Sequence, residues 1–345
     1  MSINVSQQIL AAPPDINKDN EVKRQLTYVS YHAVESTPGA DQVYSAILIY
    51  DLQTHKRHNL YEIKEAIGGL NWSPDGKYLL FVSNPRQFRT RIHVIDATGH
   101  VVYTGSSDTD DRAVWSSDSQ YIAFQSYRQK SWEIMTMKFD GTEQRQLTNN
   151  TYEDYLPSWS PDGKEIVYWS RRDNDNGEIY VISATGLNNR RLTLNLFIDN
   201  SSVWSKDGKS IYFISERNSC GSCNESWGVF AMDSRGTNQR SIAEMNVEDW
   251  FWNNPPRMSP DGTKLTFTPK GKGMYIVNSD GTDLRVLDSN PYSLEPMWSP
   301  DNQYIAYESD VNGYTVVNII KSDSSGKQQV PTDPNDFAGS PAWIP

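Results

Sequence analysis

The chain has 345 residues, with 32 Lys+Arg against 43 Asp+Glu and a formal net charge of −11. That length allows two ordinary domains or one large closed all-β domain. The acidic balance argues against nucleic acid, and no stretch reaches the ~18 consecutive apolar residues of a membrane span. Only 2 Cys and 5 His leave little material for a metal centre, whereas 11 Trp and 19 Tyr suit a large β-fold.

Residues 1–24 read as an N-terminal tail. The opening MSINVSQQILAAPPDINKDNEVK carries no basic segment followed by an apolar one, so no secretory signal is expected within it. From residue 25 onward an internal repeat takes over. Its units are NWSPDGKYLLF (71–81), VWSSDSQYIAF (114–124), SWSPDGKEIVY (158–168), VWSKDGKSIYF (203–213), RMSPDGTKLTF (257–267) and MWSPDNQYIAY (297–307). Their anchor residues are Trp72, Trp115, Trp159, Trp204, Met258 and Trp298, and Trp343 in PAWIP is a seventh; the spacings are 43, 44, 45, 54, 40 and 45. A period of this length built from short β-runs is that of propeller blades.

Each unit predicts four strands. The first ends at the anchor, and Pro-Asp-Gly then supplies turn chemistry. The second is a nearly continuous apolar run such as YLLFV or EIVYW, as expected of a strand covered on both faces. A third strand, a Gly turn such as ATG or FDG and a polar fourth strand complete the unit. At the N-terminus TYVSYHAV (27–34), SAILIYDL (45–52) and KRHNLYE (56–62) supply strands two to four, and SPAWIP offers the missing first strand. The expected fold is therefore an all-β, seven-bladed propeller of four-stranded blades over 25–345, closed by N- and C-terminal strands sharing one blade. Closure removes open sheet edges.

The W-S-P-D-G-x-x-[IL]-x-[FY] units resemble the TolB-type propeller repeats, which also occur in prolyl-oligopeptidase and oligogalacturonate-lyase propellers. That resemblance implies the fold over nearly the whole chain. For function it implies a range, from binding scaffolds and enzyme-gating domains to a lyase. The lyase would imply a metal held largely by His late in the chain, and no His follows His100. No G-x-S-x-G, HExxH or P-loop motif is present, and His32, His55, His58, His93 and His100 all lie in the first third.

Three smaller patterns remain. Cys220-Gly-Ser-Cys223 lies in a second-to-third-strand loop without the helix of a redox motif, so a local disulfide is expected, with free thiols or metal chemistry as alternatives. Such a bridge favours an extracytoplasmic home, periplasmic or secreted. Asp173-Asn-Asp175-Asn-Gly177-Glu178 partly matches a calcium loop but lacks its Glu at position 12, so no cofactor is expected beyond weak calcium binding. Five residues before successive anchors stand Asp110, Asp154 and Asp199, and the matching hairpins carry Arg128, Arg172 and Arg217. These read either as bridges between loops or as a polar ring facing a ligand.

The blade-entry loops break the repeat with aromatics: Tyr152, Tyr155, Phe197, Trp250-Phe251-Trp252, Tyr292 and Phe337. Among them lie Glu153, Glu248, Asp249, Glu295 and Asp336. Such loops converge around the mouth of a propeller channel. Flat rings beside carboxylates suit stacking on sugars or gripping a cationic peptide. The expected role is a monomeric, non-catalytic scaffold that recognises a protein, peptide or glycan there, through Tyr152, Asp154, Tyr155, Phe197, Asp199, Trp250, Trp252, Tyr292, Glu295 and Phe337. The alternative is a carbohydrate-active enzyme, lyase or glycosidase, with two channel carboxylates such as Asp154 and Asp199 as acid and base.

Overall fold

The computed structural model describes residues 24–34, 42–86, 89–173, 176–217, 227–245, 247, 254–333 and 336–345. These form seven four-stranded antiparallel sheets, one per repeat. In the first blade the innermost strand is Phe337–Trp343, followed outward by Gln25–Val34, Gln42–Asp51 and Arg57–Ile63. The chain ends are thus paired, with Leu26 opposite Trp343 and Tyr31 opposite Phe337. Blades two to seven follow in sequence, with innermost strands Ala66–Trp72, Asp110–Trp115, Asp154–Trp159, Asp199–Trp204, Arg257–Met258 and Leu294–Trp298.

The repeat motif has a local cause. In the second blade Ser73 Oγ donates to Asp75 Oδ1, the Lys77 amide donates to the same carboxylate, and the Tyr78 amide donates to Ser73 Oγ. Gly76 takes a φ of +70° to close the turn. Ser160–Asp162, Ser205–Asp207 and Ser259–Asp261 repeat the arrangement.

Burial explains the ring. The buried apolar residues fall into seven clusters, and each joins two adjacent blades. The anchor Trp packs on the preceding blade. Trp115, for example, lies with Leu80, Ile92 and Val94, while Trp343 joins Ala306, Val317 and Ile319 of the seventh blade. In several blades its indole N–H also crosses the gap: Trp115 donates to the Asn71 carbonyl (2.9 Å) and Trp343 to that of Met297 (2.9 Å), whereas the buried indole N–H groups of Trp159 and Trp204 have no acceptor among the described residues. A Met at 258 keeps the apolar contact but has no such donor.

Candidate functional site

The second-to-third-strand hairpins and the blade-entry loops open on one face of the ring, because the strands of each blade alternate in direction. Three entry loops share a device. Asn150 Oδ1 accepts from the Tyr152 amide (2.8 Å), Asn195 Oδ1 from Phe197 (2.7 Å) and Asn290 Oδ1 from Tyr292 (2.9 Å). Each Asn side chain closes a tight turn that leaves the aromatic two residues on in solvent. The rings are accordingly 50%, 46% and 62% exposed. The other end of each Asn is tied down: Asn150 donates to Asp154 (2.8 Å), Asn195 to Asp199 (2.6 Å) and Asn290 to the Asp310 carbonyl (2.9 Å). The rings are held out by a fixed frame. Leu194 and Leu196 extend the apolar surface beside Phe197, at 80% and 86% exposure.

Beneath these loops the carboxylates are sealed. Asp110, Asp154 and Asp199 are buried and paired with Arg128 (3.4 Å), Arg172 (3.5 Å) and Arg217. Burial pushes all three carboxyls above the usual range, against the pull of serine hydroxyls and the guanidinium. Arg172 also lies over the Tyr180 ring and Arg217 over Phe213 and Phe230. The Asp–Arg pairs therefore brace first strand to second within each blade, and Asp154 and Asp199 do not reach the surface. Tyr155 is half-buried in a run of rings, Tyr127–Trp132–Tyr155–Trp169, with Arg171 over Trp169.

Around the axis, six of the seven innermost strands bulge three residues before the anchor. Gly69, Arg112, Leu156, Ser201, Glu295 and Ser340 have φ between +50° and +64° there. Pro255 holds that position in the sixth blade, where a proline cannot take positive φ. Blades three and six face each other across the ring. Burial lowers the pKa of Arg257, Glu295 opposes it and the charge of Arg112 adds to it.

The seam between the last and first blades carries an open pocket of ≈ 320 Å³ lined by Tyr31, Glu308, Thr315, Phe337 and Gly339. Phe337, 36% exposed, stacks on Tyr314 at a centroid distance of 5.3 Å. Glu308 Oε1 accepts from the Ser340 amide, Ser340 Oγ accepts from the Gly69 amide (3.1 Å), and Tyr31 donates to the Ile67 carbonyl (2.5 Å). A Cβ at Gly339 would stand 2.7 Å from Glu308 Oε1, so a larger residue there would push that carboxylate aside. Burial first, and repulsion by Glu295 second, push the Glu308 carboxyl up to about 7.

Sequence reasoning placed Tyr152, Tyr155, Phe197, Tyr292, Glu295 and Phe337 at this face, and missed Asn150, Asn195, Asn290, Tyr31 and Glu308. The Asn-x-aromatic spacing was a readable signal. Trp250, Phe251, Trp252, Cys220 and Cys223 lie outside the described residues. Asp173 and Glu178 of the calcium-like hairpin both pair with Arg191 (2.9 and 2.7 Å). Among the described residues no three His, Cys, Asp or Glu converge as metal ligands.

Fold and site together define a closed seven-bladed β-propeller whose loop face displays exposed aromatic rings on side-chain-closed turns. The chain belongs to the TolB beta propeller domain family, whose model matches residues 2–174 and 112–345. It is 26% identical over 293 residues to an uncharacterized protein of Agrobacterium fabrum, covering 80% of this chain and 96% of that one. To the Tol-Pal system protein TolB of Francisella tularensis subsp. mediasiatica it is 28% identical over 294 residues, covering 76% of this chain but 62% of TolB. The chain thus spans about three-fifths of such a TolB. Among solved structures, TolB from Acinetobacter baumannii superposes with a TM-score of 0.56 at 18% identity, over 93% of this chain and 67% of that one. An oligogalacturonate lyase in complex with manganese gives 0.63 at 14% identity, over 86% and 97%. At these identities the superpositions establish the fold. The described side chains offer no cluster that fits manganese.

Proposed function

We propose that the chain is a non-catalytic scaffold that binds a protein, peptide or glycan on its loop-rich face. The observation that carries this reading is the set of three rings, Tyr152, Phe197 and Tyr292, kept in water by side-chain-closed turns. Exposed apolar surface on an ordered frame marks a contact site more than a packing accident. The Asp–Arg bracing beneath them supports the same reading, because carboxylates sealed in ion pairs are poor acids and bases. We further propose a monomer acting outside the cytoplasm, periplasmic or secreted, on the strength of the Cys220–Cys223 spacing.

One observation favours the carbohydrate-active alternative: Glu308, held near neutrality beside Glu295, has the character of a general acid. A thermal-shift panel of basic peptides, oligosaccharides and divalent ions separates the two. A scaffold is stabilised by one peptide or glycan class, by about 2.7 kcal/mol at a hundredfold excess over Kd, with no turnover. Steady cleavage of an oligosaccharide, abolished by Glu308→Gln, would overturn the scaffold reading.

A further inference from the structure

Glu308 occupies a slot whose structural duty another residue performs without charge. Ten residues after the third blade's anchor stands Gln125, whose Oε1 accepts from the Leu156 amide (3.1 Å), the bulge residue of the next blade. Ten residues after the seventh blade's anchor stands Glu308, whose Oε1 accepts from the Ser340 amide, again the next blade's bulge residue. A neutral amide is therefore enough to staple the bulge. The carboxylate adds only a partly buried negative charge that Glu295 repels, which is a cost unless something compensates it.

Among the described residues nothing does so. Asp110, Asp154, Asp199, Glu178 and Asp288 each have an Arg or Lys against them. Glu133, buried without one, is closed off by Ser131, Thr148 and the Asn150 amide. Glu308 has a single backbone donor, and no basic side chain is among the groups that act on it. Its Oε2 has no hydrogen-bond partner among the described residues and is not among the sealed, unpartnered atoms. Glu308 lines an open pocket large enough for a side-chain terminus, together with Tyr31 and Phe337. A carboxylate that shares a pocket with two aromatic residues is the complement of a cation.

We propose that the seam pocket receives the ammonium or guanidinium end of a basic side chain of a bound peptide, with Glu308 as its counter-ion and Tyr31 and Phe337 as its walls. This rests on the reading that the loop face binds a ligand, and narrows it to a basic peptide. The test uses five-residue Gly-Ser peptides with a central Lys, Arg, acetyl-lysine or citrulline, titrated calorimetrically into the full chain. At least one of the Lys and Arg peptides should saturate the wild type, with its neutral counterpart at least tenfold weaker. Glu308→Gln should melt no lower than the wild type, as Gln125 implies, and lose at least tenfold in affinity for the charged peptide. Thr315→Lys, which places a tethered ammonium at the pocket wall, should block binding. Equal affinity for charged and neutral peptides, unchanged binding by Glu308→Gln, or no binding by any peptide would overturn the proposal. A glycan that binds the face with Glu308→Gln unaffected would leave the scaffold reading standing and remove this one alone.

Discussion

Removing residues 339–345 is expected to lower the melting temperature by more than about 10 °C or to drive the chain into aggregates. The deletion strips Trp343 from the cluster it shares with Ala306, Val317 and Ile319, and Ala342 from the cluster between blades one and two. Losing a buried Trp alone costs ~3–5 kcal/mol. The inner edge of Gln25–Val34 would also lose most of its partner strand, and Thr27 Oγ1, which accepts from Trp72 Nε1, would lose its own acceptor, the Ala342 carbonyl. An open sheet edge beside an exposed apolar face is a template for association. Scanning calorimetry with light scattering checks this. An unchanged transition would mean that the ring does not depend on closure by the chain ends.

The second large effect is a pH-dependent gain from Glu308→Gln. The Glu308 pKa rises from 4.5 to about 7 on folding, so the folded state holds the proton more tightly. The stability this contributes is fully present below pH 4.5 and is lost as pH rises through about 7. At pH 8 the charged, partly buried carboxylate is a liability that Gln lacks. The variant should then be more stable than the wild type by of order 2 kcal/mol at pH 8 and equal to it near pH 4. A difference curve is needed because His93 titrates in the opposite sense. Burial between Ser83 and Thr104, against the Phe81 ring, lowers its pKa from 6.5 to about 4. Its contribution is present above pH 6.5 and lost as pH falls through about 4. In the wild type the two nearly offset, so Glu308→Gln should also expose a steeper loss of stability on acidification. Urea titrations at pH 4, 6 and 8 give the curve. A flat difference would show that Glu308 is not charged at a cost.

The blades were legible because their determinants are local. Ser–Asp turns recur at one spacing and the anchor Trp fills the same gap, so a short motif reports both a turn and an interface. The exposed rings were legible as well, since they interrupt that pattern. The depth of Asp154 and Asp199 was not. Five residues before an anchor is a register, and only the hairpin folding back with its Arg closes a lid over the carboxylate. Glu308 was illegible for a related reason. The same slot holds Gln125, Trp169 and Ile214 in other blades, so its meaning arises only where the seam brings Tyr31 and Ser340 against it.

The central claim is that the entry-loop rings are presented to a ligand by a frame that does not need them. The direct test is the triple variant Tyr152→Ala, Phe197→Ala, Tyr292→Ala, with its melting temperature and its affinity for the strongest ligand of the panel measured side by side. The three side chains are about half exposed or more, so the melting temperature should stay within about 2 °C, while affinity falls at least tenfold. Early unfolding, or undiminished binding by a well-folded variant, would contradict the account.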